Sequence, residues 1–241
     1  ENMPLSRAVQ LMQGVAGSKV KVAFRHMGEP ADQEMELTRE TIRVKSVQGD
    51  SYKPDGSWEF FVDKDQKIAY VRLNQFGRHT GEELGEVLKE LTDKGMKGLI
   101  LDLRNNPGGL LSQAVEVSDL FIESGDIVTT AGKNTPEKPF RATKDGTFSG
   151  FAMAVLVNRF SASASEIVSA CLQDHKRAVL MGSQTFGKGS VQTIRQLGAD
   201  TALKITTARY YTPSGRSIQA KGIMPELLVD DTPEGSPFAA L

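Results

Sequence analysis

The sequence predicts an α/β fold for the main body of the chain, preceded by a smaller module. Short and almost wholly apolar runs, such as residues 99–103, are typical of strands that are buried on both faces of a sheet. These runs alternate with segments whose apolar residues recur at helical spacing, and glycine-rich turns separate the two. Alternating strands and helices favour a parallel sheet covered by helices.

The first 66 residues predict a small helical and β module followed by a turn-rich connection. The predicted elements are a helix over 5–13, strands over 19–24 and 35–44, a loop over 28–33 between them, and a connection over 48–66. Within the connection, Asp55 and Gly56 form the kind of dipeptide that favours a tight hairpin turn.

The main body predicts the alternating elements on which the α/β prediction depends. They are strands over 68–73, 99–103, 127–130, 152–157 and 178–181, helices over 80–94, 111–121 and 163–174, a polar loop or hairpin over 132–150, and β-structure over 190–194, 202–209 and 227–229. Thr80 and Glu83 have the spacing of a capping box at the start of the first of these helices.

Composition excludes several classes of function. The 29 basic and 30 acidic residues give a net charge of −1, which argues against a nucleic-acid partner because phosphate binding needs a basic surplus. The longest apolar run, residues 151–157, is too short for a membrane span of about 20 residues. With Cys171 alone, neither an internal disulfide nor a cysteine-based metal site can form. The chain begins Glu1-Asn2-Met3, so we expect a mature or trimmed piece.

Three turns rich in glycine or serine each follow a predicted buried strand, at residues 104–109, 161–166 and 182–189. In α/β sheets, ligands bind at the carboxyl ends of the strands. The third turn has Gly182, Gly187 and Lys188 at the spacing of a phosphate-binding loop. However, the following residues alternate as a strand, whereas a phosphate-binding loop opens a helix. Nucleotide binding is therefore a weak alternative.

Ser163 and Glu166 have the spacing of a capping box at the start of a helix, where developing negative charge is stabilised. A serine nucleophile also needs a base. His175 falls at the far end of the same helix, about 18 Å away at 1.5 Å per residue, and His26 and His79 lie in other segments. A serine–histidine–aspartate triad is not indicated. Lys188 remains as a candidate base, provided that its surroundings are poor in water.

Three separated motifs together carry a family resemblance. They are LDLRNNPGG at 101–109, NRFSASASEI at 158–167 and TFGKGSVQ at 185–192. The chain resembles the carboxy-terminal processing proteases, the tail-specific serine peptidases of bacterial envelopes and plastids. The segments TTARYYTPSG at 206–215 and KGIMPE at 221–226 are similar to the final strands of that family. The resemblance runs from about Met3 to about Val229.

The resemblance implies a serine/lysine dyad, with Ser163 as nucleophile, Lys188 as base and Gln192 orienting the amine. It further implies an oxyanion hole made by the backbone N–H groups of Gly109 and Ala164. The implied reaction is an endopeptidase cleavage near the C-terminus of a protein substrate, and it needs no metal or cofactor. The alternative is a non-catalytic peptide-binding scaffold with the same fold.

The resemblance also implies an organisation. Residues 1–46 are similar to only the second half of a PDZ domain, and residues 47–66 form a connecting segment. Residues 67–231 form a crotonase-like serine peptidase core, and residues 232–241 form a C-terminal tail. The implied partners are protein or peptide substrates with a free C-terminus, together with an adaptor protein or a homo-oligomer. The implied location is the cell envelope, in the periplasm or exported.

Overall fold

The computed structural model describes residues 3–41, 44–198 and 201–229. The chain divides into two compact units, Glu1–Val44 and Lys45–Leu241. The predicted tail at 232–241 lies outside the described residues.

The first unit contains helix α1 (Leu5–Met12) and an antiparallel hairpin of β1 (Lys19–Phe24) and β2 (Gln33–Thr38). No residue of α1 is buried, and the Arg39 guanidinium ties the helix to the hairpin by donating to the carbonyl oxygens of its last turn and of β1. The predicted helix and first strand are confirmed. The second strand lies earlier than predicted, over 33–38. It runs antiparallel to β1, and its last residue, Thr38, pairs with Lys19, the first residue of β1, so the pairing ends there. Residues 42 and 43 of the predicted strand lie outside the described residues.

The second unit contains the larger, alternating part of the fold. Its elements in chain order are β3 (Val47–Gln48), β4 (Ser51–Tyr52), β5 (Trp58–Glu59), β6 (Phe61–Asp63), β7 (Ile68–Leu73), α2 (Thr80–Asp93), β8 (Gly98–Asp102), α3 (Leu111–Asp119), β9 (Asp126–Gly132), β10 (Thr135–Arg141), β11 (Ala152–Val157), α4 (Ala164–Asp174), β12 (Val179–Gly182), β13 (Ser190–Gln196), β14 (Ala202–Tyr211) and β15 (Leu227–Leu228).

The central sheet has the strand order β15-β12-β11-β8-β7-β3, and β6 also pairs with β7. Strands β7, β8, β11, β12 and β15 run parallel to one another, whereas β3 and β6 pair with β7 in antiparallel orientation. Alternate side chains of these strands, such as Val71, Leu101 and Val155, are fully buried and belong to the same core as apolar residues of α2, α3 and α4. The predicted α/β architecture is confirmed.

A second, antiparallel sheet has the order β10-β9-β14-β13. Of the polar loop or hairpin predicted over 132–150, residues 135–141 form β10, which pairs with the preceding strand β9. Strands β13 and β14 confirm the β-structure predicted over 190–194 and 202–209. The hairpin predicted at Asp55-Gly56 is also present, because β4 pairs with β5 across this turn and the rings of Tyr52 and Trp58 stack 3.9 Å apart. In the described ranges, no helix combines the length and apolarity needed to cross a membrane.

The predicted capping box at Thr80 is wrong. The N-cap of α2 is His79. The Thr80 hydroxyl instead accepts the Gly77 N–H at 2.9 Å and bonds the Ser46 hydroxyl at 2.8 Å. Glu83 accepts the backbone N–H of Ser46 at 2.8 Å. Both side chains therefore join α2 to the segment before β3.

Candidate active site

The three turns singled out in the sequence meet at one edge of the central sheet. Strands β8, β11 and β12 are adjacent and parallel, so the segments that follow them leave the sheet on the same side. Direct hydrogen bonds join these segments: Ala162 N–H donates to Asn106 O at 3.0 Å, and Phe186 N–H donates to Ser161 O at 3.0 Å. The chain thus brings together the motifs at 101–109, 158–167 and 185–192.

Ser163 is the N-cap of α4, in the turn between β11 and that helix. Its backbone has φ 56° and ψ −112°, a conformation that a residue with a side chain rarely adopts. Such strain costs about 1–3 kcal/mol and is found where a nucleophile is presented on a sharp strand-to-helix turn. The side chain is half-buried at the amino end of the helix, where negative charge is stabilised.

Glu166 connects the serine segment to the lysine segment. Its carboxylate is fully buried. Oε2 accepts the backbone N–H groups of Ser163 and Lys188, each at 2.8 Å. Oε1 accepts the Thr185 hydroxyl and the Gly187 N–H, each at 2.6 Å. Since the Ser163 and Lys188 nitrogens share one acceptor oxygen, they are no more than twice 2.8 Å apart.

The backbone around Lys188 is held on its other side by the segment 218–223. Gly187 O accepts the Ala220 N–H at 2.8 Å, and the Gly189 N–H donates to the Gln219 side chain at 3.0 Å. A Cβ added to Gly189 would lie 2.3 Å from the Gln219 nitrogen, so this close approach requires glycine. The Lys188 side chain itself is exposed and forms no hydrogen bond or ion pair with any described residue. The water-poor surroundings predicted for this amine are absent from this conformation.

Gln192 lies on β13 at the edge of the second sheet. Its side chain is exposed and makes no hydrogen bond within the part of the chain that the structure describes. Because β13 begins at Ser190, the alternation of strand faces relates Ser190 to Gln192 but does not extend back to Lys188.

The predicted oxyanion donors lie on two segments in close contact. Within the described residues, neither the Gly109 N–H nor the Ala164 N–H has a hydrogen-bond acceptor. A Cβ added to Gly108 would lie 2.8 Å from the Ala164 nitrogen, and one added to Gly109 would lie 2.2 Å from the carbonyl oxygen of Phe76. Both glycines also have positive φ, so the Pro-Gly-Gly turn can take this path only with glycine at both positions.

A cleft of about 380 Å³ opens at the same edge of the sheet. Apolar side chains form most of its wall. It is lined by Asn105, Pro107, Phe160, Ala162, Phe186 and Lys188. The cleft therefore offers mainly apolar surface, with Lys188 in its lining.

Asp102 anchors the turn that follows β8, a role that no local sequence pattern indicates. Its buried carboxylate accepts the Tyr70 hydroxyl at 2.6 Å and the Arg104 guanidinium at 2.8 Å. Burial and the hydrogen bond to Asp102 raise the pKa of Tyr70 to about 12. This cluster fixes the start of the segment that carries Gly108 and Gly109.

The alternatives based on other motifs are not supported by the geometry. The segment after Lys188 is strand β13, so the phosphate-binding interpretation is wrong. His79 contacts Glu82 on α2, and His175 Nε2 bonds the Asp126 carbonyl at 2.8 Å, so neither ring adjoins Ser163. Among the residues that the structure describes, no group of three or more histidine, cysteine or acidic side chains is arranged to hold a metal.

A sequence profile described as "Peptidase family S41" matches residues 67–229, more than half of the chain. The chain belongs to peptidase family S41. Curated members of this family include a carboxy-terminal-processing protease of Bartonella bacilliformis, 43% identical over 94% of this chain, and the carboxy-terminal processing protease CtpA of Bacillus subtilis, 35% identical over 94% of it. The S41 chain spans about half the length of these relatives, 50% and 46% respectively.

Among solved structures, the S41 chain is similar to the photosystem II D1 C-terminal processing protease. The two superpose with a TM-score of 0.67 at 32% identity, over 95% of this chain and 60% of that one. A second S41 protease, from Bacteroides fragilis, is similar in fold, with a TM-score of 0.63 at 16% identity over 90% of this chain and 61% of that one. The α/β fold is therefore one that S41 processing proteases share.

Proposed function

We propose that this chain is the catalytic part of a serine endopeptidase that cleaves protein substrates near their C-terminus. In the proposed mechanism, the neutral Lys188 amine takes the proton of Ser163 Oγ, which attacks a peptide carbonyl. The C–N bond then breaks, and the leaving amine takes the proton back from Lys188. Water, deprotonated by the same amine, then attacks the acyl-enzyme ester. The ester C–O bond breaks, Ser163 Oγ takes the proton back from Lys188, and the second product leaves.

The observation that carries this proposal is the carboxylate of Glu166, which accepts the backbone N–H groups of both Ser163 and Lys188 through one oxygen. Two residues 25 positions apart in sequence are thereby fixed side by side. Since the lysine side chain is a flexible four-carbon stem without a competing partner, its amine can turn toward Ser163 Oγ. Gln192, four residues further along the lysine segment, is the proposed orienting group for that amine.

The remaining requirements are a site for the oxyanion and a site for the substrate. The unpaired N–H groups of Gly109 and Ala164 are the proposed oxyanion hole, which stabilises the tetrahedral intermediate. The cleft between Phe160 and Phe186 has apolar walls, so we propose that it takes an apolar substrate side chain. A peptide seated there would cover Lys188 and remove water from its amine, which favours the neutral form that a base needs.

We further propose the organisation expected from the family. Residues 67–231 would form a crotonase-like peptidase core, 47–66 a connection, 1–46 part of a PDZ domain, and 232–241 a tail. The helix and hairpin of the first unit, α1 with β1 and β2, are compatible with part of a PDZ domain. Envelope or periplasmic location, an adaptor protein and a homo-oligomer are proposals of the same kind.

The decisive experiment measures hydrolysis of a peptide with an apolar C-terminus by the wild type, Ser163→Ala and Lys188→Ala. Both variants should lose turnover while they keep the wild-type melting temperature. Lys89→Ala, which removes an exposed lysine of α2, serves as the matched control and should keep full activity. Wild-type activity should rise toward alkaline pH as the base loses its proton.

A fluorophosphonate probe separates catalysis from peptide binding. It should label Ser163 in the wild type and leave Ser163→Ala unlabelled. A wild-type chain that binds the peptide without hydrolysis or labelling would instead be a non-catalytic scaffold. Full activity of Lys188→Ala would refute the serine/lysine dyad.

A further inference from the structure

Asn106 lies in the segment that carries Gly109 and bonds to the segment that carries Ala164, and its side chain has no exposed surface. Its Oδ1 accepts the Gly108 N–H at 2.9 Å, and its Nδ2 donates to the Leu73 carbonyl at 2.8 Å. Its own carbonyl oxygen accepts the Ala162 N–H and the Ser165 hydroxyl, each at 3.0 Å. One residue thus bonds to the end of β7, to the Pro-Gly-Gly turn and to both sides of Ser163.

We infer that Asn106 is a positioning residue that fixes the distance between the Gly109 N–H and the Ala164 N–H. The inference rests on the proposed function. Because Asn106 accepts the Gly108 N–H, the next amide along the turn, that of Gly109, is left as the unpaired donor. Its carbonyl simultaneously holds the segment of Ala164 against the same turn.

The chemistry of the amide explains why asparagine suits this position. One end of the group must donate to Leu73 O while the other accepts from Gly108 N–H. Aspartate lacks the donor, and an apolar side chain lacks both groups. Oxyanion donors must lie about 2.7–3.1 Å from the developing charge. A small movement of the turn therefore reduces stabilisation of the transition state more than it reduces binding of the substrate.

The test compares Asn106→Ala and the near-isosteric Asn106→Asp with the matched control Asn134→Ala. The control removes an exposed asparagine side chain in the turn between β9 and β10 and leaves Asn106 intact. We measure kcat and KM for a peptide, and the affinities for a peptide boronic acid and for an unreactive product peptide. The boronic acid forms a tetrahedral adduct with Ser163 Oγ, so it reports on the oxyanion site.

In Asn106→Ala, kcat should fall by about 10²-fold, the loss expected for one misplaced oxyanion donor, while KM stays within about threefold. Boronic acid affinity should fall in parallel with kcat, and product affinity should not change. Asn106→Asp keeps the acceptor for Gly108 and should lose less, so it also provides the test if the alanine variant does not fold. Asn134→Ala should keep kcat within about threefold.

The inference is refuted if a folded Asn106 variant keeps wild-type kcat, or if its loss is confined to KM with boronic acid affinity unchanged. The proposed function fails in a different way. A wild-type chain that neither hydrolyses the peptide nor binds the boronic acid would refute the dyad mechanism itself, and this inference with it.

Discussion

Replacing Glu166 with glutamine tests how the serine and lysine segments are held together. The substitution keeps the shape of the side chain but turns one acceptor oxygen into an NH₂ group. The Thr185 hydroxyl can rotate and accept a hydrogen bond, whereas the Ser163 and Lys188 amides can only donate. We therefore expect the NH₂ group to take the Oε1 position beside Thr185 and Gly187, and the amide oxygen to keep the bonds to Ser163 and Lys188.

The structure sets the size of the effect. In that orientation the Gly187 N–H and the Thr185 O–H both lose their acceptor oxygen, and each buried unsatisfied donor costs about 1–3 kcal/mol. For a domain of this size, the melting temperature falls by about 2–4 °C for each kcal/mol. Glu166→Ala would leave four donors without an acceptor, at about 4–12 kcal/mol. That is comparable with the whole free energy of unfolding, about 5–15 kcal/mol, so the alanine variant cannot report on catalysis.

The assay combines thermal unfolding with kcat for peptide hydrolysis. Glu166→Gln should lose stability in the stated range and keep kcat within about tenfold of the wild type, because the shared acceptor of Ser163 and Lys188 remains. Glu83→Gln is the matched control: both of its bonds from Ser46 go to one oxygen, so its amide oxygen can keep them and stability should hardly change. An unchanged melting temperature in Glu166→Gln would refute the energetic argument. A kcat loss of more than about 10²-fold in the folded variant would refute the assigned orientation.

Two further predictions follow from the same contacts. Gly109→Ala places a Cβ 2.2 Å from a neighbouring carbonyl oxygen, so the turn must move and kcat for the peptide should fall by about 10²–10³-fold; a kcat within threefold of the wild type would contradict this. Burial alone would raise the pKa of Asp174, but hydrogen bonds from Thr212 and Ser214 and the charge of Arg216 hold it below its usual value. A carboxylate of lowered pKa stabilises the fold above its ordinary pKa of about 3.9, and this contribution is lost as the pH falls through the folded-state pKa. Asp174→Asn should therefore have a lower melting temperature than the wild type at pH 7. Below about pH 4 its melting temperature should fall less steeply with pH than that of the wild type. Melting temperatures that fall in parallel in the wild type and the variant would contradict the argument.

The sequence predicted the elements whose signal is local. The apolar runs at 99–103 and 152–157 became buried parallel strands, since a run without polar alternation is stable only between two layers. The capping box at Thr80 and Glu83 failed because its spacing describes only the first turn of the helix. In the folded chain both side chains bond to Ser46, more than thirty residues earlier, and no local pattern indicates such a partner.

The same distinction applies to the site. The three turns could be placed at one sheet edge from the order of strands, and Ser163 at a helix start from its neighbours. The bonds of Glu166 to residues 185–188 could not be predicted, because nothing near Glu166 in sequence shows which donors will approach it. The exposure of Lys188 was likewise not predicted. Phe186, two residues before Lys188, gives it no shelter, because Phe186 itself is 67% exposed.

Some groups of the proposed active site are held in place by hydrogen bonds, whereas the side chain of the proposed base is free to move. The backbone of Ser163, Gly109 and Ala164 belongs to segments joined by buried hydrogen bonds of Glu166 and Asn106, so the nucleophile and the oxyanion donors need little reorganisation when charge develops. The proposed base differs, because only its backbone is held while its side chain is exposed to water. Desolvation of one side chain is then the step that this conformation leaves to the substrate. A peptide that fills the cleft beside Phe186 would therefore also remove water from the Lys188 amine and so activate it as a base. Turnover would then depend on whether that cleft is occupied.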